Sequence, residues 1–182
     1  MSDLRPQKRA INIGGEQYSL LFTIATIDEI QSGHNIALFD GIHVLQELTP
    51  ENYTVDNLRI LAAFLSAILT TNGYDIDIAQ AVDILQHEEP QAVALMLVLL
   101  FAESAPEKDD EEEDDDESDE DPEPSVNVAR ILTVAHEQMK YPEEEIWRMT
   151  MRKYNILLNQ HLILAGRKKE EDIDTAQMFS GG

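Results

Sequence analysis

Fourteen of the eighteen residues from Glu107 to Pro124 are Asp or Glu, and Lys108 is their only base. A run of like charges with almost no apolar side chain cannot bury enough surface to offset its ordering entropy and self-repulsion. The tract is therefore expected to be a solvated, disordered linker, and it divides the 182-residue chain into an N-terminal part, 1–106, and a C-terminal part, 125–182. The charge follows the same division. Residues 1–106 carry 4 bases against 14 acids, whereas 125–182 carry 8 of each, so most of the net charge of −23 lies in the tract itself. An excess of this size argues against tight binding to bare nucleic-acid phosphate or to an anionic membrane surface, since such contacts need cations.

With 43% hydrophobic residues overall, the two flanking parts have the material for a core. The chain has no Cys, which removes disulfides, thiolate nucleophiles and Cys-based zinc sites and fits a reducing compartment. No apolar stretch follows the first basic residues, so no signal peptide is expected. The longest apolar run, 92–102, is 11 residues. That is about half of what spans a bilayer, and it reads as a buried core helix.

Two β-prone runs, Ala10-Ile11-Asn12-Ile13 and Tyr18-Ser19-Leu20-Leu21-Phe22, flank Gly14-Gly15. A Gly-Gly pair supplies the positive φ angles of a tight hairpin turn. The period then changes from two to about three and a half. Ile24, Ile27 and Ile30 mark a short helix closed by Gly33-His34-Asn35, and Leu38, Ile42, Leu45 and Leu48 mark a second over 37–48. Thr54 caps a third helix, with Leu58, Leu61, Ala62, Leu65, Ile68 and Leu69 on one face and Gly73 past its end. Asp77 and Gln80 form a capping box for a fourth, and Pro90 opens a fifth over 90–103. Beyond the tract, Ser125 is the expected cap of a helix with Val128, Ile131, Leu132 and Ala135 inward. Glu143 to Glu145 open a short helix, and Thr150 caps another over 151–165 that ends before Gly166. A final helix is expected over 170–179 in the polar tail. The fold class is mainly α: an N-terminal β-hairpin, a compact five-helix domain, the acidic linker and a small helical C-terminal module.

The residues offer little chemistry. His136-Glu137 begins the spacing of a metalloprotease helix, but Lys140 stands where the second histidine is needed. His161 follows Leu157 and Leu158 and reads as a packed side chain. No basic phosphate loop follows Gly14-Gly15, and residues 107–124 lack the glycine that an EF-hand turn requires. No catalytic set, metal or cofactor is expected, and the chain is not read as an enzyme. What remains are contact residues. Trp147, Arg148, Met149, Met151, Arg152 and Tyr154 belong to the types enriched at interface cores and are the candidate partner-binding residues. Two readings of Trp147 stay open at this point, an interface anchor and a plug of the small C-terminal core.

In order along the chain, Ile11-Asn12-Ile13-Gly14-Gly15-Glu16-Gln17-Tyr18-Ser19-Leu20, the Ile27-Asp28-Glu29-Ile30 helix, a helical domain, an acidic linker and Tyr141 through Trp147-Arg148-Met149-Thr150 to Leu157-Leu158 resemble the tail assembly chaperones of long-tailed bacteriophages. The first half is similar to the family's chaperone domain with its I-x-I-x-G-x-x-Y-x-L hairpin. The second is similar to an extension with a Trp-x-Met-Thr helix start, which in many such phages is appended by a programmed ribosomal frameshift. One departure is that Met151 follows the threonine where the family often has Pro. The resemblance implies a non-catalytic protein of the host cell cytoplasm that binds the tape measure protein and keeps it soluble. It also implies recruitment of tail tube protein by the extension, and absence from the finished virion. The alternative, read from charge alone, is an acidic interaction or regulatory protein that mimics nucleic acid or shields a basic partner.

Overall fold

The computed structural model describes residues 8–106 and 125–166. The expectations for a disordered linker over 107–124 and for a helix within 170–179 lie outside these. The chain opens with an antiparallel hairpin, β1 (Arg9–Ile13) and β2 (Glu16–Leu20), paired with Ile13 opposite Glu16 and Ile11 opposite Tyr18. Gly14 and Gly15 turn it at φ of +61° and +79°, the double left-handed turn whose twist matches the strands and which side-chain-bearing residues resist. The turn is tied down by the Gly14 amide, which donates to Glu88 Oε1 at 2.6 Å. Tyr18, Leu20 and Ile13 face inward.

Five helices follow: α1 (Ile24–Asp28), α2 (Leu38–Gln46), α3 (Val55–Thr71), α4 (Ile78–Leu85) and α5 (Pro90–Ser104). Their starts follow the sequence. Thr54 Oγ1 accepts the Asn57 amide at the head of α3, Asp77 and Gln80 exchange hydrogen bonds at the head of α4, and Pro90 takes the first position of α5. Helix α3 is the axis of the domain. Every residue from Leu61 to Leu69 is buried, because β2, α1, α2, α4 and α5 pack around it. The apolar stripe anticipated on α3 is thus enclosed on all sides over 61–69, and the alanines at 62, 63 and 67 let neighbours approach.

Helix α1 widens into a π turn over Glu29–Gly33 before Asn35 takes a left-handed conformation at φ +56°. The same device recurs after the acidic tract. Helix α6 (Val128–Thr133) widens into a π turn over Val134–Gln138, and Lys140 follows at φ +62°. Its cap is Asn127, whose Oδ1 accepts the Arg130 amide at 2.9 Å. The expected cap, Ser125, lies two residues too early to reach that amide. Helices α7 (Glu143–Trp147) and α8 (Met151–Leu164) complete the described chain, α8 capped by Thr150 and closed by Gly166 at φ +67°.

The described part of the C-terminal segment lies on the N-terminal helices. Val128, Ile131, Ala135, Ile146, Met149 and Tyr154 join one continuous buried cluster with the residues of β1, β2 and α1–α5. No helix among the described residues is long and apolar enough to cross a membrane.

Candidate interaction surface

The stretch around Trp147 sits where the two segments meet, and it does so first through its backbone. The Met149 carbonyl accepts the Ile24 amide at 2.8 Å. Ile24 is the first residue of α1, whose leading amides have no partner inside the helix, so the extension satisfies an orphan donor. A second fastening is the Gln31 side chain, whose Nε2 donates to the Val126 carbonyl at 2.8 Å while its Oε1 accepts the Val126 amide at 2.7 Å. It thereby pairs with Val126 as a neighbouring strand residue would. The third is Arg152, whose Nε donates to the Ala105 carbonyl just past α5 at 3.2 Å.

The six candidate residues do not form one exposed patch. Met149 is 1% exposed and Tyr154 6%, so both are core residues of this chain, which corrects their assignment to a partner-binding surface. Burial of Tyr154 also pushes its phenol above the usual tyrosine range, partly opposed by the charge of Arg130. Met151 is half-buried against the same core, and Arg152 is half-buried at Ala105. Trp147 is divided. Its ring packs on the core, yet it is only half-buried, and its Nε1 donates to Glu143 Oε1 at 3.1 Å. Arg148 stands in solvent and pairs with Glu144 at 2.7 Å. Of the six, Trp147 and Arg148 are therefore the best placed to meet another protein.

Sequence reading missed a larger apolar surface. Leu95 is 59% and Leu99 45% exposed on α5, and Phe39, 44% exposed on α2, stacks edge-on against Phe101 of α5. Helix α5 was expected to be buried core, and half of it is: Val93, Ala94, Leu97 and Leu100 pack inward. The opposite side is equally apolar and uncovered among the described residues. The missed signal is that α5 carries apolar residues all round, while a helix laid on one side of a domain has only one face to bury.

Neither histidine noted in the sequence joins a reactive group. A His136 ring nitrogen lies 3.1 Å from the Tyr141 carbonyl, and His161 sits half-buried on α8. Among the described residues, no three His, Asp or Glu side chains are grouped so as to hold a metal ion. Comparison with models of protein families, with curated proteins and with solved structures finds no match.

Proposed function

We propose that this chain is a tail assembly chaperone of a long-tailed bacteriophage, acting in the host cell cytoplasm. It binds the tape measure protein, keeps that long helical chain soluble, recruits tail tube subunits and leaves before the virion is finished. The observation that carries this reading is the joining of the two sequence blocks that resemble the family. Met149, within Trp147-Arg148-Met149-Thr150, is hydrogen-bonded to the head of α1, where the hairpin block ends. That contact supports the reading because it places the extension beside the domain it would serve, with Trp147 half-open and Arg148 in solvent at the junction. Large apolar side chains exposed on α2 and α5 suit a protein that holds an aggregation-prone client.

Co-expression tests it. With the full chain present, the tape measure protein is expected in the soluble fraction and in the same affinity eluate. Tube subunits should be captured as well, and Trp147→Ala with Arg148→Ala should weaken that capture while tape measure binding persists. A full-length chain that retains neither protein in the pull-down removes the proposal.

A further inference from the structure

The uncovered side of α5 has the geometry of a helix seat. Ala92, Leu95, Leu99 and Ala102 are all exposed and follow one another at three- and four-residue steps, so they line one face for about 15 Å, some three turns. Small residues stand at both ends of the stripe and leucines in the middle, which leaves room for a second helix to lie along it. Phe39, exposed on α2, packs edge-on against Phe101 on the neighbouring side of α5.

The charge around this face selects its occupant. Residues 8–106 hold three bases, Lys8, Arg9 and Arg59, against thirteen acids, and the docked segment adds Arg152 at Ala105, just past the C-terminal end of α5. Asp40 follows Phe39, Glu88 and Glu89 precede α5, and Glu103 lies in its last turn, where it is bonded to Arg9. A second copy of the chain would bring the same acids against these. The 16 residues beyond Gly166 carry three bases and four acids, and Glu170, Glu171, Asp172 and Asp174 crowd around Ile173. Both are poor matches for an acidic rim.

We infer that the exposed α5 face is the docking seat for an amphipathic helix of a partner protein, one with large apolar residues at three- and four-residue spacing and Lys or Arg along its edges. The apolar face of that helix covers Leu95 and Leu99, and its basic edges meet Glu88 and Glu89 before α5 and Asp40 on α2. Placing a client here rests on the chaperone reading, whereas the chemistry of the seat is tested without it.

The probe is a synthetic amphipathic helix of about 18 residues with a leucine face and lysine edges, titrated into the full chain at physiological ionic strength. The peptide is expected to bind, and Leu95→Gln with Leu99→Gln to weaken it about tenfold or more, with an unchanged circular dichroism melt because both side chains lie outside the core. Ile78→Gln with Val82→Gln, a somewhat less exposed pair on α4, should leave binding as it was. Binding insensitive to the α5 pair, but abolished when the acids of 107–124 are replaced by Asn and Gln, would overturn the inference by assigning the peptide to the tract. So would a dimer of the free chain that the α5 substitutions dissociate. If the α5 pair behaves as expected while the pull-down with tape measure protein fails, the chaperone reading falls and the seat remains.

Discussion

Gly41 is the position where one atom matters most. It lies in α2, buried, and a Cβ there would stand 2.5 Å from Phe64 Cε2, 2.7 Å from Cζ and 3.0 Å from Ile36 Cγ2. Phe64 belongs to the enclosed stretch of α3 and is fully buried, and in an interior packed at crystal-like density a shift of its ring displaces its neighbours. Replacing glycine by alanine in a helix normally favours the fold by about 1 kcal/mol, but overpacking a filled core costs about 1–3 kcal/mol. The steric term wins here. Gly41→Ala is expected to lower stability by up to about 2 kcal/mol, read as a lower denaturant midpoint at constant slope. Gly73 and Gly166 contrast with it. A Cβ at either would meet no atom within 4 Å, and both are needed instead for their left-handed φ. Those two glycines are plain from their places after apolar periods, while the reason for Gly41 lies in a residue 23 positions away that no local pattern connects to it.

At the level of elements, three of the five helix starts that rest on side-chain capping of a nearby amide were legible. Thr54, Asp77 and Thr150 all cap as their spacing indicates, whereas Asn127 takes the place expected for Ser125 and the Thr23 cap of α1 was not read. Helix ends were less legible. The π turns at Glu29–Gly33 and Val134–Gln138 arise from main-chain closure, the His34 amide reaching Glu29 and the Met139 amide reaching Val134, and they leave no composition signature. The candidate surface was harder still. Burial of Met149 and Tyr154, and exposure of Leu95, depend on which segments come together across the acidic tract. Among the fastenings that decide this, the Gln31 clamp is the most accessible to test. Gln31→Ala removes two hydrogen bonds to Val126 and leaves both of its backbone groups to find water. It is expected to loosen the C-terminal segment by about 1–2 kcal/mol. Hydrogen exchange should rise across α6 while the amides of α3 keep their protection. Equal loss of protection in both would mean that Gln31 supports the whole fold and not the docking.

The chain as a whole combines a charge that repels with a core that joins. Residues 8–106 are strongly acidic, while the described C-terminal residues 125–166 hold five bases and four acids. Their docking therefore brings a near-neutral segment onto an acidic body and leaves the heavy charge in the tract between. Burial holds the two together: Val128, Ile131, Ile146 and Tyr154 enter the common cluster, and large side chains of this kind contribute about 1.5–3 kcal/mol each in gross transfer free energy. The pair of Arg148 with Glu144 lies within the C-terminal segment and is exposed on both sides, so it adds little. Neutralising the tract thus separates the two functional readings. Changing all fourteen acids of 107–124 to Asn and Gln takes the net charge from −23 to −9, with the docking contacts untouched. For a chaperone, the expected outcome is retained tape measure binding in the pull-down and reduced solubility of the complex, because self-repulsion is what the tract supplies. For an acidic mimic or shield, partner binding itself disappears, since the carboxylates are the recognition element and a screening length of about 8 Å already limits them at physiological salt. A tract-neutral variant that precipitates more readily yet still carries its client through the affinity step would place function in the folded segments, with the tract as their solvating tether.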